Sequence, residues 1–326
     1  HLWSRSYVRD LANVLTLQGE IARAISGEIE ITLTPQSEAR LARDRAVDRH
    51  ALRLWAVGNH HLKGLSEDSF DKALQAFQEA VRREPNFADG YAGLSLAYQS
   101  LAGWHASNPV DEFLSLARAA AEKAIQLDPD LAEAHFALAE IHKLDWEWQE
   151  AAREYRKGRR LDPSDTFGLA GYANFLSAMG RFDLAIEVAT HGMRLDPLSP
   201  ILRGELGQAL WLAGQHDAAL RKFQDALRLD PAHVQIQWIL SDFYIRAGEY
   251  DRALPFLERL KQDFETMAPA MIGYVGANFA MVGRRDDALE MLAHLLKRAE
   301  TEYIPGSALA YLLSLIHISE PTRLLV

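Results

Sequence analysis

A small apolar residue returns along this chain at an almost constant interval. Ala73, Ala117, Ala151, Ala185, Ala219, Ala253 and Ala288 are spaced by 44, 34, 34, 34, 34 and 35 residues. Four positions after most of them stands a larger apolar group (Phe77, Tyr155, Phe223, Leu257 or Leu292), and Ala121 and Ala189 take that place in two intervals. A spacing of four puts both members of each pair on one helical face. The pattern therefore predicts a helix whose small residue lets a neighbouring helix approach closely, since a bulky group would hold the two apart. Glycine punctuates the same intervals at Gly180, Gly214, Gly248 and Gly283, suited to the left-handed conformation that ends a helix. Leu-Asp-Pro then closes four intervals, with prolines at 129, 163, 197 and 231. Proline lacks a backbone donor and disfavours helix in the residue before it.

Together these marks predict seven helix hairpins, roughly 48–85, 88–129, 132–163, 166–197, 200–231, 234–265 and 269–300. A truncated eighth begins after Thr301, around Ala308 to Tyr311. The expected fold is all-α, an α-solenoid in which helix hairpins stack into a right-handed superhelix. Three departures stand out. About three extra residues fall near Gly64-Leu65-Ser66, and ten more lie in Gln99–Phe113, predicting a longer helix and loop. Pro255 falls early in a second helix, where a proline is tolerated.

The flanks do not follow the repeat. His1 to Tyr7 reads as the end of a strand, and Leu11 to Ile31 as one amphipathic helix carrying Val14, Leu17, Ile21, Ile25 and Ile29. Alone these cannot bury their apolar sides, so residues 1–33 are expected to be the end of an α/β domain lying upstream. The chain opens on His1, and a longer parent protein is the expectation. Thr34-Pro35 suits a helix start, and residues 34–47 read as a connecting helix. The array is expected over 48–313. Residues 314–326 carry no repeat feature, resemble the translated read-through of a sequencing adapter, and are expected to be an artefactual tail.

Charge and composition narrow the function. A net charge of −10 argues against nucleic-acid binding, which needs a basic surface. With no cysteine, thiolate metal sites, disulfides and a cysteine nucleophile are excluded; a cytoplasmic and a periplasmic location both tolerate that. No apolar run is long enough to span a membrane. Nucleophile-elbow, phosphate-loop and zinc-protease motifs are lacking, so no catalytic residue, cofactor or metal is expected. His135 and His142 stand two turns apart, too far for one metal ion unaided, and read as one packed and one partly solvated side chain.

Binding is the better expectation. First helices of stacked hairpins line the concave side of a solenoid, so their outward positions are natural contacts for a protein or peptide. In this register they are Phe136, Glu140, Phe167, Asn174, Gln208, Trp211, Trp238, Asp242 and Ile245. Phe136, Phe167 and Trp238 fit a core role as well, whereas packing explains Trp211 less readily. Asp145-Trp146-Glu147-Trp148 falls at a hairpin turn and reads as pinned by ring packing, with a binding edge as the other reading.

Residues 48–300 resemble tetratricopeptide repeats in period and in the Ala, Gly and Asp-Pro positions quoted. More narrowly, His1-Leu2-Trp3-Ser4, Arg9-Asp10-Leu11, Leu17-Gln18-Gly19-Glu20-Ile21-Ala22 and Leu33-Thr34-Pro35 resemble a bacterial architecture in which a TolB-like α/β domain precedes such repeats. Gly19 departs from the acidic residue usual there. The Asp145–Trp148 turn and Leu195 to Pro200 are similar to the same group. That resemblance implies an upstream adenylate/guanylate cyclase, winged-helix or protein kinase domain, with the repeats as the interaction or sensing part.

Overall fold

Each repeat boundary is built by the Asp-Pro pair, and the aspartate has its own task. Asp128, Asp162, Asp196 and Asp230 each accept, at Oδ1, the backbone N–H two residues on, from Asp130, Ser164, Leu198 and Ala232, at 2.9–3.1 Å. Proline stops the helix and the carboxylate then clamps the turn that follows. Further caps start the next helix: Asp165 accepts from Phe167 and Gly168 N–H, and Ser199 from Leu202 N–H.

A computed structural model describes residues 47–62, 67–104, 110–301, 304 and 306–318. The strand and helix expected before residue 34, the connecting helix up to Ala46, the Gly64–Ser66 insertion and residues 319–326 lie outside the described residues. Among the described residues there are fifteen α-helices and no strand. They are α1 (Arg49–Leu62), α2 (Glu67–Arg83), α3 (Ala88–Trp104), α4 (Val110–Leu127), α5 (Ala132–Leu144), α6 (Trp148–Leu161), α7 (Thr166–Ala178), α8 (Phe182–Leu195), α9 (Pro200–Leu212), α10 (His216–Leu229), α11 (Val234–Arg246), α12 (Tyr250–Gln262), α13 (Pro269–Met281), α14 (Arg285–Arg298) and α15 (Gly306–Ile318).

Consecutive helices pair into hairpins from α1–α2 to α13–α14, and α15 packs on α13. Successive first helices also touch one another, most weakly at α9 and α11, while no two successive second helices make a substantial contact. The stack is thus tighter along its first helices, which form the inner layer. Every alanine of the repeating column is fully buried, as are Phe77, Tyr155, Phe223 and Leu257 four residues on. The ten-residue insertion lengthens α3 and α4 to 17 and 18 residues. Pro255 is the sixth residue of an unbroken α12. α15 continues through residue 313, the limit expected for the array, to Ile318, and buries Leu312 and Ile316.

The turns inside the hairpins contain one exception. Gly180, Gly214, Gly248 and Gly283 have φ of 69°, 79°, 75° and 82°, and each closes its helix with the hydrogen-bond pattern expected of a left-handed cap. One period before Gly180 stands Trp146, with φ 63°. A left-handed backbone costs a non-glycine residue about 1–2 kcal/mol. Contacts from outside hold this turn: Arg118 on α4 donates to Asp145 at 2.5 Å and to Glu147 at 3.3 Å. The indole of Trp146 remains 76% exposed and meets Trp148 edge to face at 5.3 Å.

Candidate functional site

Glu140, Asn174, Gln208 and Asp242 are 34 residues apart on α5, α7, α9 and α11, so the repeat carries them to one equivalent position on the inner layer. Each meets a different environment there. Glu140 accepts a hydrogen bond from the Tyr155 hydroxyl and pairs with Lys143 at 2.5 Å. Asn174 donates its amide to Glu205 Oε2 at 3.3 Å. Gln208 Oε1 is buried without a hydrogen-bond partner among the described residues. Asp242 is paired with Arg246 at 2.8 Å.

Glu205 is the residue that sequence reasoning missed. It is 8% exposed, and burial pushes its carboxyl up to about 7. Burial also raises the Tyr155 hydroxyl well above its usual range, with the Glu140 charge adding to the effect. The available signal was a single charged residue in the otherwise uncharged stretch from Gly204 to Gln215.

Aromatic residues continue the inner layer toward the C-terminal end. Trp211 is half-buried, edge to face with Phe243 at 5.5 Å and below the Arg246 guanidinium at 6.0 Å. Trp238 contacts Tyr274 at 5.3 Å, and Tyr274 contacts Tyr311 at 5.6 Å, a row across α11, α13 and α15. Trp238 Nε1 is buried with no acceptor among the described residues. Phe167, in the first turn of α7, is 65% exposed.

Two expected contacts are core instead. Phe136 is 4% exposed because its ring fills a slot between Gly158 and Gly168, where an added Cβ would lie only 2.9 Å and 2.2 Å from it. Ile245 is buried in the same core. The histidines also depart from expectation, since both are buried. His135 sits between Glu154, at 2.6 Å from Nδ1, and the Pro129 carbonyl, at 2.9 Å from Nε2. His142 Nδ1 is 2.5 Å from Glu147. These contacts hold the Glu154 and Glu147 carboxyls below their usual range, and they use the imidazoles as struts between helices.

Models of the tetratricopeptide repeat match residues 173–222 and 210–266. These are tetratricopeptide repeats. The tetratricopeptide solenoid is similar in fold to human IFIT1 dimer with m7Gppp-AAAA, at 14% identity, TM-score 0.67, and coverage of 94% of this chain and 70% of that one. It is similar also to a tetratricopeptide repeat protein from Parabacteroides merdae, at 16% identity and TM-score 0.52, covering 83% of this chain and 100% of that one. Putative adenylate cyclase 3 of Rhizobium meliloti is 26% identical over 141 residues, which is 43% of this chain and 24% of the relative. A tetratricopeptide array is a scaffold for protein or peptide interaction. No helix among the described residues is long and apolar enough to cross a membrane.

Proposed function

We propose that the inner layer of α5, α7, α9, α11, α13 and α15 binds an extended or helical segment of a partner protein. The observation that carries this reading is that two buried polar atoms of this layer, Gln208 Oε1 and Trp238 Nε1, have no hydrogen-bond partner among the described residues. Unpaired buried polar groups cost about 1–3 kcal/mol each, and a bound backbone can offer both a donor and an acceptor. Phe167, Trp211 and Tyr274 supply apolar area beside them, the mixture that anchors peptides. Capped RNA, held by the human IFIT1 of similar fold, fits less well, because Glu140, Glu205 and Asp242 place carboxylates on this layer.

The test is selection of peptides against the chain from a random display library, followed by titration of the selected peptides. Trp238→Phe with Gln208→Leu keeps an aromatic and an aliphatic side chain but removes the donor and the acceptor, and should weaken binding about tenfold, the equivalent of 1.4 kcal/mol. Unchanged affinity would move the site elsewhere. A second reading rests on the cyclase relative: the array is the accessory, sensing half of a bacterial signalling enzyme. Cyclase activity in the full-length protein that responds to a selected peptide would support it, and a full-length gene without a catalytic domain would end it.

A further inference from the structure

The outer layer carries a second surface of opposite charge, which the inner-layer reading does not use. Between α6 and α8 lies an open cleft of about 660 Å³ lined by Arg153, Arg156, Arg159, Arg160, Tyr172 and Leu184. Helix α6 holds five cations, Arg153, Arg156, Lys157, Arg159 and Arg160, against Glu150 and Glu154, in a chain whose net charge is −10. The repeat itself provides a control for whether packing asks for them. Positions 156, 157 and 159 become Thr190, His191 and Met193 one period on, then Gln224, Asp225 and Leu227. The fold is built at those places without a fixed positive charge, so Arg156 and Arg159 answer to something else, whereas the charge at Arg160 returns in the repeat as Arg194 and Arg228.

We propose that this cleft docks a short acidic segment of a partner protein. Its chemistry is already displayed once: Arg159 donates to the Glu187 carboxylate across the cleft at 2.7 Å. Arg156 has no carboxylate partner among the described residues, and it is exposed. Guanidinium groups favour planar, two-pronged contacts with carboxylates. Tyr172 and Leu184 give the cleft an apolar floor for the residues between the acids. A long polyanion suits it less, because the basic track ends at once against Asp183 and Glu187 of α8. The equivalent cleft on α10, of about 410 Å³, is weaker because Asp225 already pairs with its Arg228.

A glutamate-rich peptide with leucines between the acids, fluorescently labelled and titrated into the whole chain, tests the proposal. Binding should weaken as salt rises, and Arg156→Glu with Arg160→Glu should weaken it about tenfold or more. The milder Arg156→Gln with Arg160→Gln should weaken it less, with unchanged helical content showing that both variants fold. Arg228→Glu on α10 should leave it unchanged. So should Trp238→Phe with Gln208→Leu, so that failure here and failure of the inner-layer site remain distinguishable. Absence of binding, equal binding by the reversed variant, or tighter binding of a single-stranded oligonucleotide or a phosphopeptide than of the glutamate peptide would each overturn it.

Discussion

The two helices of one hairpin are under different rules, and α11 and α12 show it best. Helix α12 buries Ala253, Leu257 and Leu260, a single stripe, and leaves the rest partly or fully exposed. Helix α11 buries Ile236, Gln237 and every residue from Ile239 to Ile245, polar Ser241 and Asp242 included. An outer helix packs along one stripe, which the repeat dictates. Helix α11 is enclosed by its hairpin partner α12, by α10 before it and by the inner helix α13 after it, so each polar group it carries must be matched individually. Ser241 shows such matching, accepting from the Asn278 amide at 3.2 Å. Variation between repeats is costly in the inner layer and cheap on the outer one.

Breaking the outer stripe should have the largest effect. Phe223→Ala empties a fully buried position and should cost about 3–5 kcal/mol in chemical denaturation. Exposed Arg221 on the same helix, replaced by Ala, should stay within about 0.5 kcal/mol. Equal losses would erase the distinction between stripe and surface.

The inner layer is sharpened by pH. Glu205 has a folded pKa of about 7 against an ordinary 4.5, so between those values the folded chain holds a proton that the unfolded chain has released. Stability from this group is therefore full below about pH 4.5 and falls as pH rises towards 7. Glu205→Gln should stabilise the protein above pH 7 by up to about 3 kcal/mol and have little effect below pH 4.5. A gain independent of pH would show that ionisation is not the cause.

The hairpin turns give the smallest expected effects. Gly214→Ala imposes a left-handed backbone on a residue with a Cβ and should cost about 1 kcal/mol. Trp146→Gly removes that strain together with an exposed ring contact, and should stabilise by at most about 1 kcal/mol. Marked destabilisation would mean that the two indoles, rather than Arg118, hold the turn.

Much of this was legible in the sequence, because repetition is the one long-range signal that a single chain displays. The alanine, glycine and Asp-Pro marks gave the hairpin register, and a step of 34 placed Glu140, Asn174, Gln208 and Asp242 together. What periodicity does not carry is the identity of the neighbour across the stack. Phe136 looked like a contact because the glycines that make room for it, Gly158 and Gly168, belong to two other helices. Glu205 did not stand out because its cover comes from elsewhere, with Asn174 31 residues earlier among its partners. Trp146 was not recognised as filling the glycine position because the restraint on its turn comes from Arg118, on the preceding hairpin.

The inner layer as binding face is tested most directly by the indole N–H signals of the seven tryptophans in an NMR titration with a selected peptide. Trp238 Nε1 is buried and lacks an acceptor among the described residues, so its signal should move strongly when the peptide supplies one, that of Trp211 should move less, and that of Trp55 should stay in place. Movement confined to Trp146 and Trp148, with Trp238 unchanged at saturation, would contradict the account.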